Sequence, residues 1–484
     1  MKKLLTVIIV LVLSVSFSCH AAAFSPYENY TYPAEEEGSL EDTQAYLPEE
    51  IITGETLGTT NFLNPEDIYV STSRQIYVVD TGNNRIVVFD ENQTLLKVID
   101  GFDNSGTADA FSGPKGIFVD EDDNLYIADS GNDRIVVLDI SGNLKKIVTL
   151  PQSVLLDGIK FSPEKVVVDH SGRIFAISPN TNKGIIGIDA QGNFTGFYGV
   201  LKTNGTFDLF KYFATDTQRE TMEQSVPVAY SNMDIDVEGF VYTSVALTDI
   251  SGDYNPDIFI RKLNPSGNDV LNRNGNHDII GDVIFYKNAE EQENSSFCDV
   301  TFVGENCYSA LDQRYGRIFT YDKDGNLLFV FGAKGGSLGQ FYLPVSLDVL
   351  DKTYYVLDRN YNQIVVFKPT EYGELLLNAS NAYNNRNYDE AEEYYDRLLE
   401  LSVYSDVVYQ GKANCLYHNQ EYGEAMKYYK LCENKDMYIE AFKYYRNDLI
   451  DRYFMYAMTT IVILVIVLVG VSFIRKRKRR AAHE

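Results

Sequence analysis

Short runs of alternating apolar and polar residues fill the chain up to about residue 370, and polar turns such as DEDDN and DKDGN separate them. Such alternation predicts β-strands. One pattern is repeated, and its copies begin at or near Pro65, Pro114, Pro163, Asn232, Phe297 and Leu343. The first three copies are 49 residues apart. Each copy predicts four antiparallel strands, as in a β-propeller blade. We therefore predict a mainly β, multidomain chain with a six-bladed β-propeller over residues 45–370.

The way in which the ring closes can also be predicted. The last copy runs into helical sequence without a fourth strand, and an orphan apolar patch, residues 45–54 (AYLPEEIITG), precedes the first copy. We predict that this patch completes the last blade, because an unpaired strand edge is costly. The alternative is that it is only the end of the leader. Insertions at residues 201–227, interpreted as a helical excursion, and 269–297 are binding loops or lids over one face.

The second copy carries the most regular form of the repeat. Residues Pro114 to Ile135 read P-x-G-I-x-V-D-x-x-x-N-L-Y-I-A-D-S-G-N-x-R-I. This motif resembles the NHL repeat, and copies one, two and six match it well. The resemblance implies an NHL-like propeller, a class that includes lyases and lactonases.

After Pro369 the period of the sequence changes to 34 residues. Small or aromatic residues recur at this offset in the pairs Ala379/Ala413, Tyr383/Tyr417, Tyr388/Tyr422, Ala391/Ala425 and Tyr394/Tyr428. This length resembles the tetratricopeptide (TPR) repeat. We predict TPR-like helical hairpins over residues 371–452, which need cover from the propeller, the membrane-proximal helix or a partner because two repeats are few.

The N-terminus is typical of a targeting segment. In residues 1–23 two lysines precede an apolar run, and small residues follow. This pattern predicts a cleaved signal peptide; Cys19 raises a lipid-anchor alternative, which the residues before it disfavour. Residues 24–44 are acidic and poor in aliphatic side chains, and we predict a flexible leader.

A second apolar run lies near the C-terminus. Residues 453–474 carry no charge, and 22 residues of helix rise through about 33 Å, enough to cross a bilayer. A buried core helix is the alternative. The basic tail, residues 475–484, begins with RKRKRR and is predicted to be cytoplasmic by the positive-inside rule. We therefore predict a single-pass cell-membrane protein whose N-terminal domain is extracytoplasmic.

Charge restricts the choice of partners. The chain has 42 basic and 69 acidic residues, a net charge of −27. Eight of the basic residues lie at the two ends, which leaves 34 basic against 69 acidic residues between them. Such a chain repels phosphate backbones, so nucleic acid is excluded as a partner.

A charged pair recurs in the blades. The spacing Asp-x4-Arg occurs at Asp80/Arg85, Asp129/Arg134 and Asp312/Arg317. Because the pair repeats from blade to blade, we interpret it as a brace for a turn. The alternative is a ligand-binding face formed by Asn84, Arg85, Arg134 and Arg317.

Few residues point to metals or to catalysis. His170 and His277 are too few for a three-histidine zinc site. The run DISGDYNPD offers Asp249, Asp253, Asn255 and Asp257 as a calcium site, but it lacks EF-hand spacing, and an ordinary acidic turn is the preferred interpretation. No other cofactor and no catalytic residue is predicted, since nucleophile elbows, P-loops and G-x-G-x-x-G loops are missing from the sequence.

Cysteines add one open question. Cys298 and Cys307 fall within one predicted hairpin and form a candidate disulfide, whereas Cys415 and Cys432 fit small core positions.

Both repeat classes are binding platforms rather than dedicated catalysts. Our first hypothesis is an extracytoplasmic scaffold or ligand-sensing subunit of a membrane complex. Similar composite proteins of Gram-positive bacteria are associated with ABC-type transporter permeases, which implies integral membrane transporter components as partners. The alternatives are an extracellular propeller enzyme of lyase or lactonase type, and a carbohydrate-binding surface protein, which the absence of Trp weakens.

Overall fold

The computed structural model describes residues 27, 29–32, 40–179, 181, 183–200, 229–246, 256–275, 277–285, 292–401 and 405–480. Within these ranges each blade is an antiparallel sheet, and in the first five blades the strands follow one another in chain order. The prediction of six blades is confirmed, and the fourth and weakest copy contributes three strands in its described part.

The strands have the following bounds. The N-terminal strands are β1 (Tyr30–Thr31), β2 (Leu40–Glu41) and β3 (Tyr46–Ile52). Blade 1 contains β4 (Asp67–Val70), β5 (Gln75–Asp80), β6 (Arg85–Asp90) and β7 (Leu95–Ile99), and the hairpin β8 (Gly101–Asn104) and β9 (Thr107–Ala110) follows it. Blade 2 contains β10 (Gly116–Val119), β11 (Leu125–Asp129), β12 (Arg134–Leu138) and β13 (Leu144–Val148). Blade 3 contains β14 (Lys165–Val168), β15 (Ile174–Ile177), β16 (Ile185–Ile188) and β17 (Phe194–Tyr198).

The second half of the ring continues in the same manner. Blade 4 contains β18 (Asn232–Ile235), β19 (Val241–Ser244) and β20 (Ile260–Leu263), and the hairpin β21 (Val283–Phe285) and β22 (Gln292–Asn294) follows it. Blade 5 contains β23 (Phe297–Val303), β24 (Cys307–Asp312), β25 (Arg317–Asp322) and β26 (Leu327–Phe331). The short strands β27 (Ala333–Lys334) and β28 (Gln340–Phe341) lead to blade 6, which contains β29 (Pro344–Leu350), β30 (Thr353–Asp358) and β31 (Gln363–Pro369).

The ring is closed by the N-terminal strand, as predicted. β3 pairs antiparallel with β31, with Tyr46 opposite Pro369 and Ile52 opposite Ile364, and so becomes the fourth strand of blade 6. The first strands of successive blades contact one another around the axis, and β29 of blade 6 returns to β4 of blade 1. Apolar residues of neighbouring blades pack between the sheets, as Ile52 and Ile68 do.

Five helices follow the propeller. They are α1 (Glu371–Asn384), α2 (Tyr388–Leu401), α3 (Asp406–His418), α4 (Tyr422–Leu431) and α5 (Lys435–Arg480). The aromatic residues of the 34-residue period meet across helices: Tyr388 stacks on His418 with ring centroids 4.4 Å apart, and Tyr422 stacks on Tyr444 at 5.3 Å. The TPR assignment itself stays a resemblance.

The helices share a core with the propeller. Thr370 caps α1, its hydroxyl accepting a hydrogen bond from Gly373 N (3.2 Å) and donating one to Gln44 O (2.5 Å). Leu375 and Leu376 of α1 belong to the same apolar cluster as residues of blades 5 and 6. The propeller therefore supplies the cover that a short helical array needs.

α5 runs without interruption from the last helical repeat into the apolar C-terminal segment. By length and composition it is able to cross a membrane. The predicted span, residues 453–474, lies wholly within this helix.

The described residues of the predicted leader contact the propeller, and the flexibility of the leader as a whole stays a prediction. β1 pairs with β2, and Tyr30 OH donates to Asp282 Oδ1 at 2.7 Å. Tyr27 is buried and donates to Tyr46 O at 2.7 Å. The leader is acidic in composition, but it also contains three tyrosines, of which Tyr32 is the third. Their large rings pack against the propeller.

The cysteines are reduced in the described structure. Cys298 and Cys307 lie toward opposite ends of one hairpin and are free thiols, so the candidate disulfide is not formed. Cys415 and Cys432 are fully buried, as the sequence predicted.

Candidate functional site

The propeller has two different faces. Because its strands alternate in direction, the turns between second and third strands and the links between blades share one face, here called the loop face. The other face, called the turn face, carries α1: Lys352 Nζ donates to Asn378 Oδ1 at 2.7 Å, and Lys323 Nζ donates to Asn384 O at 3.3 Å. The helical array thus lies on the turn face of blades 5 and 6.

The recurring Asp–Arg pairs lie on the loop face and hold its links in place. In blade 1, Arg85 Nε donates to the buried Asp80 at 2.6 Å, and Arg85 Nη2 donates to Thr60 O at 2.6 Å. The other oxygen of Asp80 accepts from Leu63 N at 2.7 Å. One pair therefore connects a turn within the blade to the link that precedes it.

The second copy repeats this geometry with an added partner. Arg134 contacts Asp129 and Asp109 at 2.8 Å each. Hydrogen bonds from Arg134 lower the pKa of Asp109 to about 2. Asp129 accepts from Ser112 N at 2.7 Å, as Asp80 does from its own link.

The third predicted pair, Asp312/Arg317, is not formed: Arg317 pairs with Asp282 instead, and Asp312 accepts from Ser296 N at 2.8 Å. Arg317 contacts Asp282, and its guanidinium lies 5.0 Å from the centroid of the Tyr30 ring, so it ties the leader to blade 5. Asn84 adopts a left-handed backbone (φ 54°), and its Oδ1 accepts from Gly113 N at 2.6 Å, which joins blade 1 to the link before blade 2. These contacts support the bracing interpretation, and ligand binding by the four residues stays a prediction.

The calcium prediction falls largely outside the described residues. Asp249, Asp253 and Asn255 lie outside them, and Asp257 is exposed with Arg273 Nε 3.3 Å from its carboxylate. Over the described part of the chain, no group of three or more His, Cys, Asp or Glu side chains is placed to hold a metal ion. Calcium binding at this turn stays a prediction.

A polar cluster that the sequence did not reveal lies on the propeller axis. Lys165 Nζ of blade 3 crosses to Asp67 of blade 1, 2.5 Å from its Oδ1. At the equivalent position of blade 2, Gly116 has no side chain, and a Cβ there would lie 2.4 Å from Glu164 O. Burial alone would lower the pKa of Lys165, but Asp67 and Asp299 hold it above its ordinary value.

Ser346 links two carboxyl groups of this cluster. Its hydroxyl lies 3.0 Å from Asp67 Oδ1 and 2.8 Å from Asp299 Oδ2. Asp299 is 3% exposed, and burial raises its pKa to about 7. The centre of the ring therefore contains Lys165, the carboxyl groups of Asp67 and Asp299, the hydroxyl group of Ser346 and backbone N–H groups.

Thr301 links a second pair of carboxyl groups one step further along the inner strands. Its Oγ1 lies 3.2 Å from Asp234 Oδ2 and 3.0 Å from Asp348 Oδ1. Burial raises the pKa of Asp348 to about 7, and burial together with the nearby Asp348 raises that of Asp234. A hydroxyl has a single proton, so it cannot donate to both groups. We therefore infer that one carboxyl group is protonated and donates to Thr301.

The signal for this cluster was present in the repeat itself. Asp67, Gly116 and Lys165 occupy one repeat position, 49 residues apart, where charge and size change from blade to blade. A repeat position that faces neighbouring blades carries the same type of residue in each blade. A position that faces the axis meets different partners in each blade, so its residue type changes.

Both faces of the propeller carry exposed apolar side chains. Those on the loop face include Leu63, Val154, Leu155, Leu338, Tyr342 and Tyr361. Val154 is 85% exposed beside a cavity of about 540 Å³ lined by residues 150–154, 156 and 157. The rings of Tyr342 and Tyr361 meet edge to face, with centroids 5.9 Å apart. Exposed aromatic side chains such as this pair are enriched at protein interfaces.

Comparison with known proteins supports the blade assignment. The NHL repeat model matches residues 62–89, which contain the first two strands and most of the third strand of blade 1. No curated protein matches the sequence.

Several solved structures are similar to this chain. Streptogramin B lyase is 11% identical with a TM-score of 0.41, over 67% of this chain and 98% of the lyase. Virginiamycin B lyase from Staphylococcus aureus is 9% identical with a TM-score of 0.40, over 68% and 99%. A protein of unknown function from Bacteroides thetaiotaomicron is 13% identical with a TM-score of 0.41, over 69% and 78%.

Proposed function

We propose that this protein is a membrane-anchored extracytoplasmic interaction protein, an accessory or ligand-sensing subunit of a transporter-type membrane complex. The observation that carries the proposal is the group of exposed apolar side chains on the loop face. The helical array lies on the opposite face and does not cover them. Exposed aromatic side chains such as Tyr342 and Tyr361 are the kind that dominate binding energy at protein interfaces.

The filled axis favours a platform over an enzyme. Lys165, Asp67, Asp299 and Ser346 satisfy one another at the centre of the ring, so the groups with shifted pKa values are engaged with each other rather than directed at an open cleft. Perturbed carboxyl groups in a structural network are a recognised alternative to a catalytic site.

The proposal is tested by isolating the full chain from native membranes in mild detergent. We expect transporter-type integral membrane components to co-purify. Replacing Tyr342 and Tyr361 together by Ser should reduce their yield by about tenfold, because each truncation removes an aromatic contact. A matched variant, Leu96→Ser with Val98→Ser, changes two exposed residues of the outer strand of blade 1 and should leave the yield unchanged.

Two results would overturn the proposal. One is co-purification that the Tyr342 and Tyr361 variant leaves as strong as in the unaltered chain. The other is turnover of a lactone or a polysaccharide by the purified chain, which would make it an enzyme of the lyase or lactonase type.

A further inference from the structure

The outer face of α5 carries apolar side chains that the described part of the chain leaves exposed. On the inner face Ala441 is fully buried and Tyr444 stacks on Tyr422 of α4. On the opposite face Ile439 is 51% and Phe442 is 44% exposed. A helix at the end of a repeat array usually has a polar outer face. The exposed apolar stripe of α5 therefore indicates that a partner covers it.

The stripe has the period of a helix-pairing surface. Alternate steps of three and four residues lead through Ile439, Phe442, Arg446, Leu449, Tyr453, Tyr456, Thr460, Ile463, Val467, Gly470 and Ile474, here called the seam. A mean step of 3.5 residues keeps one stripe facing a second helix in a left-handed coil. Lys443, Asp448, Asp451 and Arg452 lie off the seam.

The length of the seam restricts its occupant. The part of α5 that carries its first four residues, 439–452, extends about 21 Å beyond the predicted span. An occupant must therefore cross the same membrane and continue as a helix outside it. A second copy of α5 does so at the same depth and with the same stripe. We propose that two copies of this chain pair in parallel along the seam.

Two small seam residues allow close helix pairing, and one charged seam residue lowers the stability of the pair. Thr460 and Gly470 are small and let helix backbones approach within a membrane. Arg446 is the single charged seam residue. A polar residue at such a position selects register and number of helices while lowering stability, and its long stem lets the guanidinium reach water.

Cysteine crosslinking of the full chain in native membranes tests the pairing. Phe442→Cys and Leu449→Cys place thiols on the seam, and Asn447→Cys and Asp451→Cys place them off it. We expect oxidation to give a product of twice the chain mass for the seam variants, about fivefold or more above the off-seam variants. Equal crosslinking at all four positions would overturn the proposal, as would a seam product of any other mass, because the occupant would then be a different protein.

A second variant works in the opposite direction. Arg446→Leu should strengthen association by about tenfold in detergent, because an apolar residue replaces a charge in the seam. Lys443→Leu is the matched control and should change it little. Weaker or unchanged association of Arg446→Leu would contradict the seam. The pairing rests on the membrane anchor of the proposed function, and failure of the anchor is distinguished by release of the chain in an alkaline carbonate wash.

Discussion

At the scale of single residues, the partners of each charged side chain decide what it contributes to stability. Asp80 and Asp129 are fully buried, and each carboxylate is held by a guanidinium and a backbone N–H. By contrast, Arg74 pairs with Glu91 and Asp351 on the surface. Removing one partner of a buried pair leaves an uncompensated charge in a medium of low polarity, whereas a surface pair is replaced by water.

The first prediction compares these two kinds of pair. Arg85→Met keeps the side-chain stem but leaves Asp80 buried without its cation, and we expect a loss of about 3–5 kcal/mol in the free energy of unfolding. Arg74→Met should leave the free energy of unfolding almost unchanged, because water replaces the surface pair. Denaturant unfolding of the full chain in detergent measures both. Equal losses would mean that Arg85 is not a brace, and would favour the alternative that it binds a ligand.

The second prediction concerns the carboxyl groups on the axis. Burial raises the pKa of Asp299 and of Asp348 to about 7, above the value of roughly 4 in an unfolded chain. The folded state therefore binds more protons between these values. The stability that this supplies is fully present below about pH 4 and is lost as the pH rises through about 7. Thermal unfolding between pH 5 and pH 8 should show this decline.

Asp234→Asn tests the shared proton directly. The amide keeps an acceptor for Ile235 N and offers a donor to Thr301, as a protonated Asp234 would. We expect the variant to match the unaltered chain at pH 5 and to be more stable by ~1–2 kcal/mol at pH 8. Glu238→Gln, on an exposed turn of the same blade, should have no such effect. Equal destabilisation at both pH values would rule out a protonated carboxyl group.

Residue patterns differ in how far they could be predicted. The Asp-x4-Arg brace was predictable in blades 1 and 2, because both partners belong to one short turn, but not in blade 5, where Arg317 pairs with Asp282. The pairing of Lys165 with Asp67 was not, because it joins blades 1 and 3 across the axis. Likewise the calcium prediction used spacing along the chain, which cannot show that Arg273 lies beside Asp257.

At the scale of elements, the closing strand shows what periodicity can predict. Alternation and the missing fourth strand were enough to place residues 45–54 in the last blade. The order of the leader was not predictable in this way, because β1 and β2 are two residues long and are held by tyrosine contacts with distant residues such as Asp282.

The third prediction separates the two faces of the closing strand. Ile52 is fully buried between blades 6 and 1, whereas its neighbour Ile51 is 37% exposed. Ile52→Ala should lower the free energy of unfolding by about 2–5 kcal/mol through loss of burial and the cavity left behind. Ile51→Ala should cost less than about 1 kcal/mol. Both are measured by chemical denaturation, and similar losses would mean that the register of β3 against β31 is different.

At the scale of the whole molecule, propeller, helical array and candidate span form one continuous path. α1 packs on blades 5 and 6, successive helices pack on one another, and α5 serves both as the last helix of the array and as the candidate span. A flexible tether would let the propeller tumble above the bilayer. An uninterrupted helix instead couples the orientation of the loop face to that of the span, so a partner in the same membrane meets the propeller in one pose.

The last prediction tests the topology on which this coupling depends. The basic residues 475–480 directly follow the apolar run, and by the positive-inside rule we expect them to stay in the cytoplasm and the propeller to lie outside. Protease added to intact cells should digest the propeller and leave a membrane-embedded fragment that carries a C-terminal epitope tag. Permeabilised cells are the control, in which the tag should also be lost. A chain without residues 453–474 should appear in the medium as soluble protein, because the apolar segment that anchors it has been removed. If the tag were digested on intact cells while the propeller stayed protected, the orientation would be the reverse, and the proposed partners would have to lie in the cytoplasm.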